Sequence, residues 1–516
     1  MRQNYDGWEV EVQEGSIAAH LLDERMDIGL WLQNTVLKMA PMWLASIAFH
    51  VFIILALSCI TTGPAPSVSA PTMVVDLRNK ILPPPEEMPE VFKEDEPKKE
   101  DDKDIVKPDA DDKEVDDTDK ELTPSPLQAK GKYDVVGIGG GLGGDGKGRT
   151  SGRIKKALQQ TEDAVFAGLL WLAKHQNPDG SWGAKRFMNQ CKGARCSGPG
   201  EEEFDVGLTG AALLAFTGAG YTPSSKDEFE GICFGVVVRK AANFLVGIQD
   251  SSTGVYGGVK SGKFIYNQAI AAYAIADLYG LIKDSPSGVV FQDAAQKGID
   301  YLISIQNPGK AWRYQPKDGQ SDASVSGWAA MAIKSAQLAD LRVDNAVFNN
   351  IKSFYDDVTN QSDGVVGYTE LGSVAVKASE RDPKIQPSLT AIGVMVRVFI
   401  DKSIKDPIIK KGVERILQDL PAWNPSKLGE IDYYYWFYAS YCLNQFDGPD
   451  GACWKKWNER MKEVLVKSQH PNTDGCLWGS WDPIDRWGEE GSRVYSTAIN
   501  CLTLEVYYRL GITRLK

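Results

Sequence analysis

From residue 153 to residue 516 the chain alternates two kinds of helical segment, and it does so six times. Segments of the first kind carry one apolar face and end near a Gln or a Gly-rich turn. They are GLLWLAKHQNPDGSWG (168–183), AANFLVGIQDSSTGVYGG (241–258), GIDYLISIQNPGKAWRY (298–314), IKSFYDDVTNQSDGVVGYTE (351–370), GVERILQDLPAW (412–423) and MKEVLVKSQHPNTDGCLWGSW (461–481). Segments of the second kind are almost uncharged and begin near Asp205, Ile265, Asp322, Pro387, Asp432 and Val494. Stretches such as VGLTGAALLAFTGAG and YYYWFYASYCLNQF are apolar or small on every side, so a helix made of them must be surrounded by protein. A hairpin of one amphipathic and one wholly apolar helix cannot bury its faces alone, so successive hairpins stack. The expectation is an all-α domain with the apolar helices inside.

The sequence before this domain has a different character. Residues 1–41 are mixed and acidic. Trp43–Ile60 reads WLASIAFHVFIILALSCI, with His50 as its one ionisable group, and Met42 and Thr61 can extend it. That length suits a spanning helix over 42–62. Some forty residues precede it and no small-residue cleavage pattern follows, which argues for an uncleaved anchor over a signal peptide. Residues 63–152 read as a disordered tether. PPPEEMPE favours extended backbone, and GIGGGLGGDGKG lacks the Ser or Thr after Lys147 that a phosphate loop requires. The formal net charge of −12 is local to this tether: Glu86–Glu121 holds 18 acidic and 7 basic residues, a balance of −11. No basic stripe remains elsewhere, so nucleic acid is not an expected partner.

The pattern G-x-x-W-L-x-x-x-Q-x-x-x-G-x-W at 168–182 resembles the QW repeat of squalene and oxidosqualene cyclases. Weaker copies run over 240–256 and 297–312. In physical terms a Gln ties a helix end to the next turn, and a Trp packs over the hairpin. The resemblance implies the α6/α6 toroid of terpenoid cyclases and protein prenyltransferases: six inner helices ringed by six outer ones over 153–516. It does not by itself imply the reaction. The cyclases protonate an alkene with a DxDD cluster at the start of an inner helix. The corresponding helix here offers Asp322 alone as a catalytic candidate, and the literal DADD at Asp109–Asp112 lies in the tether. The prenyltransferases hold zinc with Asp, Cys and His on inner helices. Here Asp432 and Cys442 stand ten residues apart, with His470 at the end of an outer helix, so neither a metal nor another cofactor is expected.

Polar and aromatic side chains cluster where the hairpin loops should meet a cavity mouth. They are Trp312, Arg313, Tyr314 and Asp322; Asp432 and Tyr435; and Trp481, Asp482, Arg493 and Tyr495. Each can cap a helix or pack a loop. Asp205, Asp322 and Asp432 sit where N-caps belong. Alternatively the group forms a ligand groove. The leading expectation is a non-catalytic module that binds an unknown glycan, peptide or lipid. The alternative is a terpenoid cyclase-like or carbohydrate-active enzyme, with Tyr495 and Arg493 as the pair to test.

Ser46 and His50 are four apart on one face of the anchor, and the arrangement resembles the S-x-x-x-H motif of TonB-type energy transducers. That resemblance implies proton-driven motor subunits as partners besides membrane lipid. It also implies a bacterial inner-membrane location, with the N-terminus cytoplasmic and the C-terminal domain periplasmic. Cys191 and Cys196 lie in the loop of the first hairpin and Cys476 in the equivalent loop of the sixth. In a closed ring these loops are neighbours. The expectation is therefore a disulfide, either Cys191–Cys196 or one of these with Cys476. Cys442 and Cys501, inside apolar helices, should stay thiols.

Overall fold

The computed structural model describes residues 152–374, 387–401, 404–426 and 429–509. The segment expected to be cytoplasmic (1–41), the expected anchor with Ser46 and His50, and the expected tether up to residue 151 lie outside them. None of the described helices is long and apolar enough to cross a membrane.

The described residues form twelve α-helices and one short β-hairpin, β1 (Glu228–Phe229) with β2 (Ile232–Cys233). The odd-numbered helices are α1 (Gly152–Lys174), α3 (Phe234–Gly247), α5 (Gly288–Ser304), α7 (Asn345–Val358), α9 (Pro407–Ile416) and α11 (Ala452–Ser468). The even-numbered ones are α2 (Asp205–Gly218), α4 (Phe264–Ile282), α6 (Ala323–Leu338), α8 (Ser388–Asp401), α10 (Tyr433–Asp447) and α12 (Gly488–Arg509). The two classes differ as their sequences require. In α7 the buried residues are Val347, Phe348, Ile351, Phe354, Tyr355 and Val358, one stripe at helical spacing. In α4 nearly every residue from Phe264 to Ile282 is buried.

Helix α2 packs on α4, α4 on α6, α6 on α8, α8 on α10 and α10 on α12, and α12 packs back on α2. The odd helices lie against them: α3 on α2 and α4, α5 on α4 and α6, α7 on α6 and α8, and α11 on α10 and α12. Helix α1 lies on α12 and α2, so it joins the two ends of the chain of hairpins. Close approach of the even helices needs small residues. A Cβ on Gly327 would stand 2.5 Å from Ile392 Cγ2, and one on Gly210 3.0 Å from Ile270 O.

Capping follows the sequence at two of three positions. The Asp322 carboxylate accepts from Val325 N at 2.8 Å, and that of Asp432 from Tyr435 N at 2.9 Å. Asp205 does not cap α2. It is the first helical residue, and its carboxylate accepts from Ala184 N at 2.7 Å, fastening the preceding loop.

The repeated Gln does more than tie its own turn. Gln176 Nε2 donates to Gly180 O (2.9 Å) and to Val237 O in α3 (3.0 Å). Gln249 donates to Gly254 O (3.4 Å) and to Ala294 O in α5 (2.9 Å). Gln306 donates to Lys310 O (3.1 Å) and to Val347 O in α7 (3.2 Å). Gln469 donates to Gly479 O (2.8 Å) and to Ala164 O in α1 (2.7 Å). Each amide thus bonds one carbonyl in the turn that follows its own helix and one on the next odd helix. Beside three of them a Trp indole donates back into its hairpin: Trp182 to Leu172 O (2.8 Å), Trp312 to Leu302 O (2.8 Å) and Trp481 to Leu465 O (2.9 Å).

Candidate functional site: an aromatic cavity at the starts of the inner helices

The first turns of all six even helices contribute to one cavity of about 270 Å³. Leu208 and Ala211 come from α2, Tyr266 and Ile270 from α4, Ser324 and Trp328 from α6. Helix α8 adds Leu389, α10 adds Tyr434, and α12 adds Tyr495, Ile499 and Leu502. Loops supply Phe204, Lys263, Tyr314, Tyr368, Arg486 and Trp487.

The hydroxyls around this space bond mainly to each other. Tyr266 Oη donates to Ser324 Oγ at 2.9 Å, and Ser324 Oγ lies 2.8 Å from Tyr434 Oη. Tyr314 Oη and Tyr368 Oη are 2.6 Å apart. With the polar tips satisfied in this way, ring faces and aliphatic carbons remain for a ligand. Trp328 stacks on Phe437 at 5.5 Å and meets Tyr438 edge-on at 5.7 Å, which fixes its orientation.

Two buried carboxyls stand behind this wall. Asp322 is fully buried, its Oδ2 3.9 Å from Arg313 Nε. Burial pushes its carboxyl up to about 7, against the Val325 amide and the Arg313 charge, which pull it down. The Arg313 guanidinium also lies over the Tyr314 and Tyr368 rings, at 5.3 and 5.8 Å. Asp485 is buried as well, and Tyr495 Oη donates to its Oδ2 at 3.2 Å. Burial, with help from the neighbouring Asp432 charge, raises it to about 8. Asp432 itself pairs with Arg486 at 3.0 Å.

The ten residues expected at a mouth therefore divide. Tyr314 and Tyr495 line the cavity. Arg313, Asp322 and Asp432 stand behind it and position its wall. Trp312 and Trp481 do not reach it: both are buried in their hairpins, where their indoles bond the carbonyls given above. Tyr435 points outward, its hydroxyl donating to Ile416 O (3.0 Å) and Asp419 O (2.9 Å). Asp482 and Arg493 belong to the junction between the first and sixth hairpins. Arg493 Nη2 donates to Asp482 Oδ1 at 2.5 Å, and its Nε to Ser197 O at 2.9 Å. His470 Nε2 lies 2.9 Å from the same Asp482 oxygen, and together these partners hold the Asp482 carboxyl down at about 2. The proposed Tyr495–Arg493 pair is thus split between two sites. Sequence reasoning missed Tyr266, Trp328, Tyr368, Tyr434, Asp485, Arg486 and Trp487. Tyr266, Trp328 and Tyr434 had a signal in their offset, since all fall within the first two turns of an apolar helix.

Cys191, Cys196 and Cys476 do meet, and no disulfide joins any two of them in this structure. They surround His175 Nε2, at 3.7 Å (Cys191 Sγ), 3.5 Å (Cys196 Sγ) and 3.3 Å (Cys476 Sγ). His175 ends the first outer helix, and burial lowers its imidazole to about 4. Among the described residues this is the group whose donors could hold a metal ion. The sequence reading expected no metal and compared only Asp432, Cys442 and His470; this group joins residues up to 301 apart. Cys442 and Cys501 are buried, and no disulfide joins them in this structure.

No family model and no curated protein matches the chain. Among solved structures it is similar to a type II terpene cyclase from Scytonema in complex with geranylgeranyl dihydroxybenzoate. That match has 14% identity and a TM-score of 0.42, over 69% of this chain and 100% of the other. It is also similar to a protein from Actinoplanes, at 12% identity and a TM-score of 0.36, over 67% of this chain and 98% of the other.

Proposed function

We propose that the domain is a closed α6/α6 toroid whose axial cavity binds an apolar chain, isoprenoid or acyl, and that it acts as a binding module and not as a cyclase. The observation that carries this is the make-up of the wall. Aromatic rings and aliphatic side chains dominate it, their hydroxyls are paired, and Asp322 and Asp485 sit behind tyrosines instead of facing the open space. A general acid must come within hydrogen-bond reach of the atom it protonates. Lys263, Arg486 and Glu490 are the charged members of the lining, and they suit a polar head on the same ligand. The membrane anchor and the periplasmic placement, proposed on the sequence alone, would set such a module beside a lipid surface.

One observation favours a second reading, acid catalysis. Asp485, whose carboxyl burial raises to about 8, stands behind the cavity-lining Tyr495, and a carboxyl so strongly perturbed at a cavity accompanies acid–base function in enzymes. Both readings are tested on the full-length protein. A fluorescent acyl or prenyl probe should bind, and Ala211→Trp, which fills the cavity from α2, should weaken it by more than about tenfold. Binding of a glycan or peptide with no binding of either probe would overturn the proposal. Cyclised product from an isoprenoid substrate, lost in Asp485→Asn, would establish the second reading.

A further inference from the structure

We infer that His175, Cys191, Cys196 and Cys476 form a tetrahedral zinc site that staples the first helical hairpin to the sixth. The inference is independent of what the axial cavity binds. Its first support is distance. A zinc with Zn–N near 2.05 Å and Zn–S near 2.3 Å, at tetrahedral angles, sets its nitrogen about 3.6 Å from each sulfur. The three Nε2–Sγ separations are 3.3, 3.5 and 3.7 Å, and all four donor atoms lie within 4.8 Å of one another.

The second support is the state of the imidazole. His175 Nδ1 lies 2.8 Å from Trp171 O, an acceptor, so the ring proton sits on Nδ1 and the Nε2 lone pair faces the sulfurs. A metal-bound His is generally oriented in this way by a carbonyl or carboxylate on its other nitrogen. The ring is held there by stacking on Trp171 at 4.2 Å and is 1% exposed.

One backbone amide is aimed at the sulfurs: that of Cys196 donates to Cys191 Sγ at 3.3 Å. The loop Cys191–Cys196 turns back through Gly193 at φ +91°, which brings both of its sulfurs to one side. Gly475, at φ +59°, turns the chain just before Cys476. One dication with three thiolates carries a net single negative charge, and exposed Lys192 and Arg195 stand in the same loop to offset it. A disulfide would draw two sulfurs together and leave an odd thiol against the imidazole, whereas the geometry directs all three at one nitrogen. Soft sulfur donors in a tetrahedral S₃N set select zinc, and four protein ligands leave no open position, so the site is structural.

The ligands come from the end of α1, the loop after it and the loop after α11, so the ion would cross-link residues 301 apart. Next to it, Arg493 ties Ser197 to Asp482 and the Glu201 amide donates to Glu490 O at 2.8 Å, and α12 leads from there to the cavity through Tyr495.

The test is metal analysis of the full-length protein purified without chelator. About one zinc per chain is expected. Cys196→Ser and Cys476→Ser should each lower it more than about tenfold, while Cys233→Ser, outside the cluster, should leave it unchanged. Should the Ser variants fail to fold, cobalt exchanged into the wild-type protein gives a second readout. Thiolate-to-cobalt charge transfer with intense tetrahedral d–d bands supports S₃N ligation. Octahedral cobalt bands, a disulfide between any two of the three cysteines, or less than about a tenth of an equivalent of zinc with all three alkylating freely would overturn it.

Discussion

The Gln469 end of the sixth hairpin and the Thr359 end of the fourth are outer-helix ends fastened in two ways. Gln469 reaches sideways and bonds Ala164 O on the first outer helix. In the fourth hairpin Thr359 takes the place of Gln, and the donor comes from inside. Arg397 of α8 donates to Tyr355 O (3.0 Å) and Thr359 Oγ1 (3.1 Å) and pairs with Asp356 (2.6 Å). The fifth hairpin uses Tyr435 of α10 in the same inward role. The difference lies in what becomes joined. A glutamine clamp links one hairpin to the next, whereas Arg397 and Tyr435 close bonds within their own hairpins. Lysines cross the outer seams after the fourth and fifth hairpins: Lys411 to Gln361 O (2.9 Å) and Lys456 to Leu417 O (3.4 Å). Exposed donors of this kind contribute little. The clamped closing seam should be stiff and the two lysine seams soft.

The largest expected effect comes from removing the Trp beside a clamp. Trp481 is fully buried and bonds Leu465 O, so Trp481→Ala should cost about 3–5 kcal/mol in chemical denaturation. Val366 holds the corresponding place in the fourth hairpin, its amide donating to Thr390 Oγ1. Val366→Ala should cost clearly less, because fewer atoms and no side-chain hydrogen bond are lost. Equal costs at the two sites would break the comparison.

The inner side of the seam between the fifth and sixth hairpins should show its character through pH. There Asp432, the cap of α10, pairs with Arg486, which precedes α12, and buried Asp485 lies beside them. The folded state holds Asp485 protonated up to about pH 8, while the unfolded chain releases that proton near pH 4. Between those values the folded state binds more protons. The contribution is therefore fully present below about pH 4 and is lost as pH rises toward about 8, by up to about 1.4 kcal/mol per pH unit. Asp485→Asn keeps the shape and removes the titration. Its stability should fall less steeply than wild type over this window, in denaturant melts run at several pH values. Parallel slopes for the two proteins would show that Asp485 is not held neutral.

The alternation of helices was legible because it rests on composition: an all-apolar helix can only be interior, and a striped one can only be exterior. Asp322 and Asp432 were legible as caps for a similarly local reason. The cavity wall was less so. Trp312, Trp481 and Tyr435 share residue types with Trp328 and Tyr434, and only the direction in which each helix start faces separates a hairpin rivet from a lining residue. Asp485 carries no local mark, since its neutrality comes from burial by segments distant in sequence. The cysteines show both the reach and the limit of such reading. Placing Cys191 and Cys196 near Cys476 required only ring order, but His175 joins them because α1 happens to end there. No spacing rule covers a ligand set spread over three separate segments.

The smallest effect should be the most direct measure of the seams. Gln469→Leu removes donors from Gly479 O and Ala164 O, at roughly 0.5–1.5 kcal/mol each. Gln418 is at the equivalent end of the fifth hairpin, but it is exposed and accepts only from Arg415, so Gln418→Leu should be close to neutral. The same contrast should appear without mutation in amide hydrogen exchange. Amides of α9, between the two lysine seams, should open at lower free energy than those of the described part of α1, which is held by Gln469. In Gln469→Leu protection in α1 should drop toward that of α9 while α9 is unchanged. If the variant loosens both helices alike, the domain opens as one cooperative unit, and the seams do not differ in the way their donors suggest.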